Sequence, residues 1–161
     1  MFGNGGSDWL FGLGGDDRLT GGDGVDYLTG GAGNDIFVAE IGATRVASKS
    51  GPISLDVITD FSSGDRIDLS SLDANSLAAG DQDFHWMSTN ANKAAGDLSI
   101  KVYDSVKGAE KALGIDIDGT SGPSPYSGSV TVLFGNVDGG SPDFAIALLN
   151  TNGLDPSGLI F

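Results

Sequence analysis

Apolar side chains open this chain at a fixed interval of nine. Leu10, Leu19, Leu28 and Phe37 stand nine residues apart, each embedded in glycine, aspartate and small polar residues. Residues 3–38 divide without a gap into GNGGSDWLF, GLGGDDRLT, GGDGVDYLT and GGAGNDIFV. Position one is Gly3, Gly12, Gly21 and Gly30, and position four is Gly6, Gly15, Gly24 and Gly33. Position six is Asp8, Asp17, Asp26 and Asp35. Self-similarity at a fixed period marks a stacked architecture. Six residues of Gly and Asp predict a turn, because glycine tolerates positive φ and close backbone approach. The other three predict a very short strand with its central apolar side chain inward and its neighbours outward. A strand that short must stack on copies of itself, which predicts a solenoid. Two nonapeptides then complete one coil, with turns i and i+2 about 4.8 Å apart. Leu10 stacks on Leu28 along one sheet and Leu19 on Phe37 along the other.

The regular pattern lapses after residue 38, so the chain reads as a repeat segment, 1–38, and a following region, 39–161. In the latter, Leu55, Val57, Ile58 and Phe61, then Ile67 and Leu69, predict two short strands around a Ser-Ser-Gly turn. Further strands are predicted at Asp97–Tyr103, Leu113–Asp118, Ser129–Phe134, Asp143–Leu149 and Gly158–Phe161, separated by Gly, Ser, Pro and Asp. Within Leu113–Asp118, Asp116 and Asp118 alternate with Ile115 and Ile117 as strand-surface residues would. Short helices are predicted at Ser71–Ala79 and Ser105–Leu113, the second capped by Ser105. The run from Asn136 to Phe144 reads as a hairpin turn. The fold class is all-β: a parallel β-roll continuing into a β-sandwich-like C-terminal part.

Composition sharpens this picture. The 161 residues include 27 Gly, 20 Asp and only 2 Glu, Glu40 and Glu110. A helical surface would favour Glu, a far better helix former, whereas Asp suits turns and holds its carboxylate near the backbone. The net charge of −14 repels nucleic acid and anionic membrane, and no stretch approaches the roughly 18 apolar residues of a membrane span. The absence of Cys excludes disulfides and thiol chemistry. Met1-Phe2-Gly3 has neither the basic region nor the apolar run of a cleaved export leader.

The stacking sets Asp8 beside Asp26 and Asp17 beside Asp35. Two bare carboxylates about 5 Å apart repel by roughly 3 kcal/mol at an effective dielectric near 20. Arg18 is the only cation in the first 44 residues. A divalent ion turns that repulsion into attraction, and carboxylate and carbonyl oxygens in a flexible turn suit Ca²⁺ over Zn²⁺ or Mg²⁺.

These residues resemble the RTX (repeats-in-toxin) calcium-binding nonapeptides. The resemblance implies an ion between turns i and i+2, held by the position-six Asp of both. The earlier turn adds carbonyls from positions two and four, the later from positions one and three. One site would use Asn4, Gly6 and Asp8 with Gly21, Asp23 and Asp26. A second would use Leu13, Gly15 and Asp17 with Gly30, Ala32 and Asp35. Residues 55–75 resemble the stretch that follows the last repeat in serralysin-type C-terminal domains, also found in alginate epimerases. There the resemblance implies that acids of this segment complete the last half-sites of the roll, which Gly22, Gly24 and Asp26 and Gly31, Gly33 and Asp35 begin; the matching positions are Asp56 and Asp65, with Asp60 close by. The final LDPSGLIF resembles the acidic-then-apolar ends of proteins exported by type I ABC transporters. It implies a secreted, extracellular bacterial protein with an uncleaved C-terminal signal.

The one histidine, His85, cannot build the H-E-x-x-H zinc site of a protease, and no G-x-S-x-G nucleophile motif occurs. No catalysis is expected in this chain. Three roles stay open: a calcium-folded module behind an upstream exoenzyme domain, a module that binds extracellular polysaccharide, and an adhesin segment.

Overall fold

A computed structural model describes residues 1–40, 54–73, 84–87, 94–114, 116–119, 124–137 and 142–161. The repeat segment forms β1 (Phe2–Gly5), β2 (Trp9–Phe11), β3 (Arg18–Asp23), β4 (Tyr27–Thr29) and β5 (Ile36–Val38). Strand residues 9–11, 18–20, 27–29 and 36–38 stand where the nine-residue period predicts them. Then come β6 (Ser54–Ile58), β7 (Arg66–Asp68), β8 (His85–Met87) and β9 (Asp97–Tyr103). Helix α1 (Val106–Leu113) precedes β10 (Val130–Gly135), β11 (Phe144–Leu149) and β12 (Leu159–Ile160).

The strands lie in two sheets. The first is all parallel in the order β1-β3-β5-β7-β12; the second runs β2-β4-β6-β11-β10-β9-β8. In the first, Leu19 pairs with Phe37, Phe37 with Ile67 and Ile67 with Leu159. In the second, Leu10 pairs with Leu28 and Leu28 with Ile58. Two apolar columns therefore run up the roll and face each other. β6 and β7 continue the columns after the regular spacing has gone, because Ile58 and Ile67 fill the next level.

The second sheet is covered on both faces. Leu133, Ile146 and Leu148 turn toward the first sheet. Val130, Val132, Ala145, Ala147 and Leu149 turn the other way, against Val106 and Ala109 of α1 and Ile117. Strands β10 and β11 are buried along their whole length, as the continuous apolar runs VTVLF and FAIALL require of doubly covered strands. They form an antiparallel hairpin. Its connection is held at the described ends by the Asp143 carboxylate, which accepts from the Val137 N–H at 2.6 Å.

Ser105 caps α1, its hydroxyl accepting from the Gly108 N–H at 3.1 Å. The strand expected at Leu113–Asp118 is corrected. Leu113 ends the helix and Gly114 adopts a left-handed φ of 72°. The Glu110 carboxylate then accepts the N–H groups of Ile117 and Asp118 at 3.2 and 3.4 Å, folding the chain back over the helix end. Asp118 is accordingly buried at 2% exposure, not presented from a strand surface. Ile115 lies outside the described residues. So does most of the helix expected at Ser71–Ala79, of which Ser71 and Leu72 are turn and bend. Strand β8, with His85 exposed on it, was not legible: three residues are too few to show alternation. Among the described residues no helix is long and apolar enough to cross a membrane.

Candidate calcium sites

Each turn of the roll ends on its aspartate just before the inward-facing strand, so stacked coils stack their aspartates. The backbone N–H of Asp8 donates to Asp26 Oδ1 at 2.8 Å, and that of Asp26 to Asp56 Oδ1 at 3.3 Å. On the opposite edge Asp17 donates to Asp35 Oδ1 at 2.9 Å, and Asp35 to Asp65 Oδ1 at 2.9 Å. Two three-rung ladders result, Asp8–Asp26–Asp56 and Asp17–Asp35–Asp65. One oxygen of each later carboxylate is tied to the coil before it, and in Asp26 and Asp35 the other is left over. Asp8 Oδ2, Asp26 Oδ2 and Asp35 Oδ2 are buried with no hydrogen-bond partner.

The turn backbones converge on the same places. A Cβ built on Gly22 would lie 2.1 Å from the Asn4 carbonyl oxygen, and one on Gly24 would lie 2.0 Å from that of Gly6. On the other edge the Leu13 and Gly15 carbonyl oxygens lie 2.2 Å from a Cβ on Gly31 and on Gly33. The later turn points back: the Gly21 and Gly30 oxygens lie 2.5 Å from a Cβ on Gly3 and on Gly12. The Asp23 and Ala32 carbonyls accept from Gly6 and Gly15 N–H at 2.8 and 2.7 Å, and Leu13 accepts from Ala32 at 3.1 Å. Each edge thus gathers carboxylate and carbonyl oxygens, the donor set of a hard cation. Asn4, Gly6, Asp8, Gly21, Asp23 and Asp26 fall together, as do Leu13, Gly15, Asp17, Gly30, Ala32 and Asp35.

A family comparison matches this segment: residues 2–37 match the RTX calcium-binding nonapeptide repeat in four copies. These residues are RTX repeats. The solution structure of the AlgE6R3 subunit from the Azotobacter vinelandii mannuronan C5-epimerase is similar to the chain. It shares 26% identity, covers 96% of this chain and 78% of its own, and has a TM-score of 0.44. Comparison with curated proteins finds no significant match.

RTX repeats bind calcium, and the electrostatics of these turns fit that ion. Burial pushes the Asp26 carboxyl up, and the charges of Asp8 and Asp23 add to it, against the Asp8 N–H. Asp35 is raised the same way, by burial and then by Asp65, Asp17 and Asp60, against the Asp17 N–H. Asp56 is pushed up to about 7 by burial and by the Asp26 and Glu40 charges. Buried acids that resist ionisation and keep an unbonded oxygen are stabilised by a bound cation. Arg18 does not answer them; its guanidinium lies 2.5 Å from Asp68 Oδ2, tying β3 to β7.

The last rungs differ. Asp65 has little spare bonding capacity, because its Oδ2 accepts from the Ser62 N–H at 2.8 Å and the Ser62 hydroxyl at 3.1 Å. Asp60 caps the fourth repeat: its two oxygens accept the N–H groups of Gly30 and Gly31 at 3.0 and 2.8 Å. In the preceding coil the Thr29 carbonyl performs that task for Gly12. This backbone role escaped the sequence analysis, yet it had a signal. Asp26 to Asp56, Gly30 to Asp60 and Asp35 to Asp65 are each thirty residues apart, so the acids keep one register with the turns above them.

Proposed function

We propose that this chain is a calcium-folded, non-catalytic module of an exported bacterial protein. Residues 1–38 form the ion-holding roll and 39–161 the region that caps it. One ion lies between Asp8 and Asp26 with the Asn4, Gly6, Gly21 and Asp23 carbonyls. A second lies between Asp17 and Asp35 with those of Leu13, Gly15, Gly30 and Ala32. Asp56, with Gly22, Gly24 and Asp26, offers a further half-site. Asp65, with Gly31, Gly33 and Asp35, offers a weaker one, since Ser62 already occupies its second oxygen. The observation that carries the reading is the pair of fully buried carboxylates, Asp26 and Asp35, each with one unbonded oxygen.

Extracellular calcium modules bind at roughly 10⁻⁴–10⁻³ M. An ion at a hundredfold excess over its dissociation constant adds about 2.7 kcal/mol per site, so two sites rival the stability of a whole domain. In calcium-poor cytosol the chain stays extended and can pass a type I ABC exporter; outside, calcium folds it and supports the domain it is attached to. The apolar tail fits a signal read before folding, because in the fold Leu159 and Ile160 are a rung against Ile67 and Asp68.

Circular dichroism in EGTA and then in calcium, with calorimetric counting of ions, tests the proposal. Gain of β-structure with at least two ions per chain is expected. A fully folded spectrum in EGTA that calcium leaves unchanged sinks it. Normal export of a chain lacking residues 155–161 removes the signalling role of the tail.

A further inference from the structure

Strand β7 joins one acidic edge of the roll to a distant segment. It pairs with β5 on one side and with β12 on the other, both parallel. Its entry carries Asp65, whose Oδ1 accepts the Asp35 N–H at 2.9 Å. The next residue, Arg66, donates its backbone N–H to the Asp35 carbonyl at 2.8 Å. Residues 65 and 66 therefore hold both backbone groups of Asp35. The Arg66 guanidinium reaches the other way and donates to the Ser157 carbonyl. Leu159 stands in register with Ile67, and the Ile160 carbonyl accepts the Leu69 N–H at 2.8 Å. Beside these ties a cleft of about 430 Å³ runs between turn 61–66 and residues 151–158. Gly158 approaches the Phe61 ring across it; a Cβ there would lie 3.7 Å from Phe61 Cζ.

We infer that residues 154–160 are a latch that closes when the Asp35 edge takes up its ion, and that the closed latch tightens that ion in return. Without a cation, the stacked carboxylates of Asp17, Asp35 and Asp65 repel one another and oppose close approach of the coils. Parting the coils takes Asp65 and Arg66 away from Asp35 and unsettles β7. The two-residue β12 then loses the strand it pairs with, and so short a strand does not stand alone. A cation draws the rungs together, sets β7 in place and brings Arg66 to Ser157.

The coupling also runs backwards. Leu159 on Ile67 and Ser157 on Arg66 hold β7, and through it the Asp35 carbonyl and the Asp65 rung. Less ordering is then left for the ion to impose. Linked equilibria must strengthen each other by the same factor. The Asp26 edge has no such route: its last rung, Asp56, lies on β6, whose partners β4 and β11 belong to the second sheet. Arg66 is thus a positioning residue for one edge only. The latch rests on the calcium reading proposed above and does not require the export role.

Amide NMR of the whole chain through a calcium titration tests this, because it reads both edges and the latch separately. Gly15 and Gly33 report the Asp35 edge, and Gly6 and Gly24 the Asp26 edge. Hydrogen-exchange protection of the Leu69 N–H reports the latch and should rise with the Gly33 curve. Asp35→Asn should lower protection of Leu69 more than that of Val57, whose N–H donates to Asp26; Asp26→Asn should reverse that order. Arg66→Met should raise the dissociation constant read at Gly33 by about fivefold or more, the lower range of such couplings. The constant read at Gly24 should not move, and Arg66→Lys, which still donates to a carbonyl, should recover part of the loss. Should Asp35→Asn fail to fold, the two Arg66 variants decide. Parent affinity at both edges in Arg66→Met overturns the latch and leaves the calcium reading standing. So does an equal loss at both edges, which marks general destabilisation, and so does full Leu69 protection in EGTA in a chain that still binds calcium. A chain that binds no calcium overturns both.

Discussion

Asp26 is held between two coils: its carboxylate Oδ1 accepts the Asp8 N–H at 2.8 Å, while its backbone N–H donates to Asp56 Oδ1 at 3.3 Å. Among the described residues Asp8 has a ladder neighbour on one side only. Asp26→Ala should therefore reduce the number of bound ions, or their affinity, more than Asp8→Ala does. Calorimetric titration of the two variants checks this, and equal losses contradict the ladder.

Asp26→Asn separates charge from shape. The amide oxygen still accepts from Asp8, and the buried charge is gone. The calcium-free chain should become more stable, because burial and the Asp8 charge oppose ionisation at this position. Stabilisation by calcium should fall by about 2.7 kcal/mol for each site lost at a hundredfold excess of ion. Urea melts in EGTA and in calcium should move in opposite directions.

Asp56 makes the fold pH-dependent. It keeps its proton in the fold up to pH about 7, whereas in the unfolded chain an aspartate loses it near 3.9. Between those values the folded state binds the extra proton, so the calcium-free stability falls as pH rises. Calcium requires the carboxylate, so its apparent affinity should rise over the same window. Asp56→Asn should flatten both trends; unchanged slopes would contradict the assignment.

Position two of the repeat should tolerate change on one coil and not on the next. Leu13 sits at φ 74° and is 80% exposed, a conformation that costs a non-glycine residue roughly 1–2 kcal/mol. Leu13→Gly should be neutral or mildly stabilising, since glycine's own entropic cost offsets part of the relief. Gly31 occupies the same position one coil later at φ 99°, and a Cβ there meets the Leu13 carbonyl oxygen at 2.2 Å. Gly31→Ala should prevent the coils from closing and abolish the calcium-induced spectrum. Thermal melts in calcium compare the two.

Asp60→Ala should destabilise the fold without removing an ion. It strips the cap from the Gly30 and Gly31 N–H groups, and hydrogen bonds to a charged acceptor contribute about 1.5–3 kcal/mol. The calorimetric ion count should stay at the parent value, and its loss would make Asp60 a ligand.

The nine-residue pattern by itself determined the roll, its register and its acidic edges. Once an apolar residue must face inward every nine positions, Leu10 can only stack on Leu28, and the aspartates follow. Outside the repeats, the continuous apolar runs marked the strands at 129–134 and 143–149, because strands covered on both faces write such segments. The tertiary structure alone decided what happens between elements. Glu110 turns the expected Leu113–Asp118 strand into a return over α1, through hydrogen bonds to backbone groups that no residue pattern encodes. Asp60 becomes a backbone cap and Arg18 a partner of Asp68, each across a separation of thirty or more residues. The tail becomes a rung because Ile67 leaves a place beside it for Leu159. Local periodicity states which side a residue faces, whereas the partner it meets there is decided by which distant segment fills the next level of the roll.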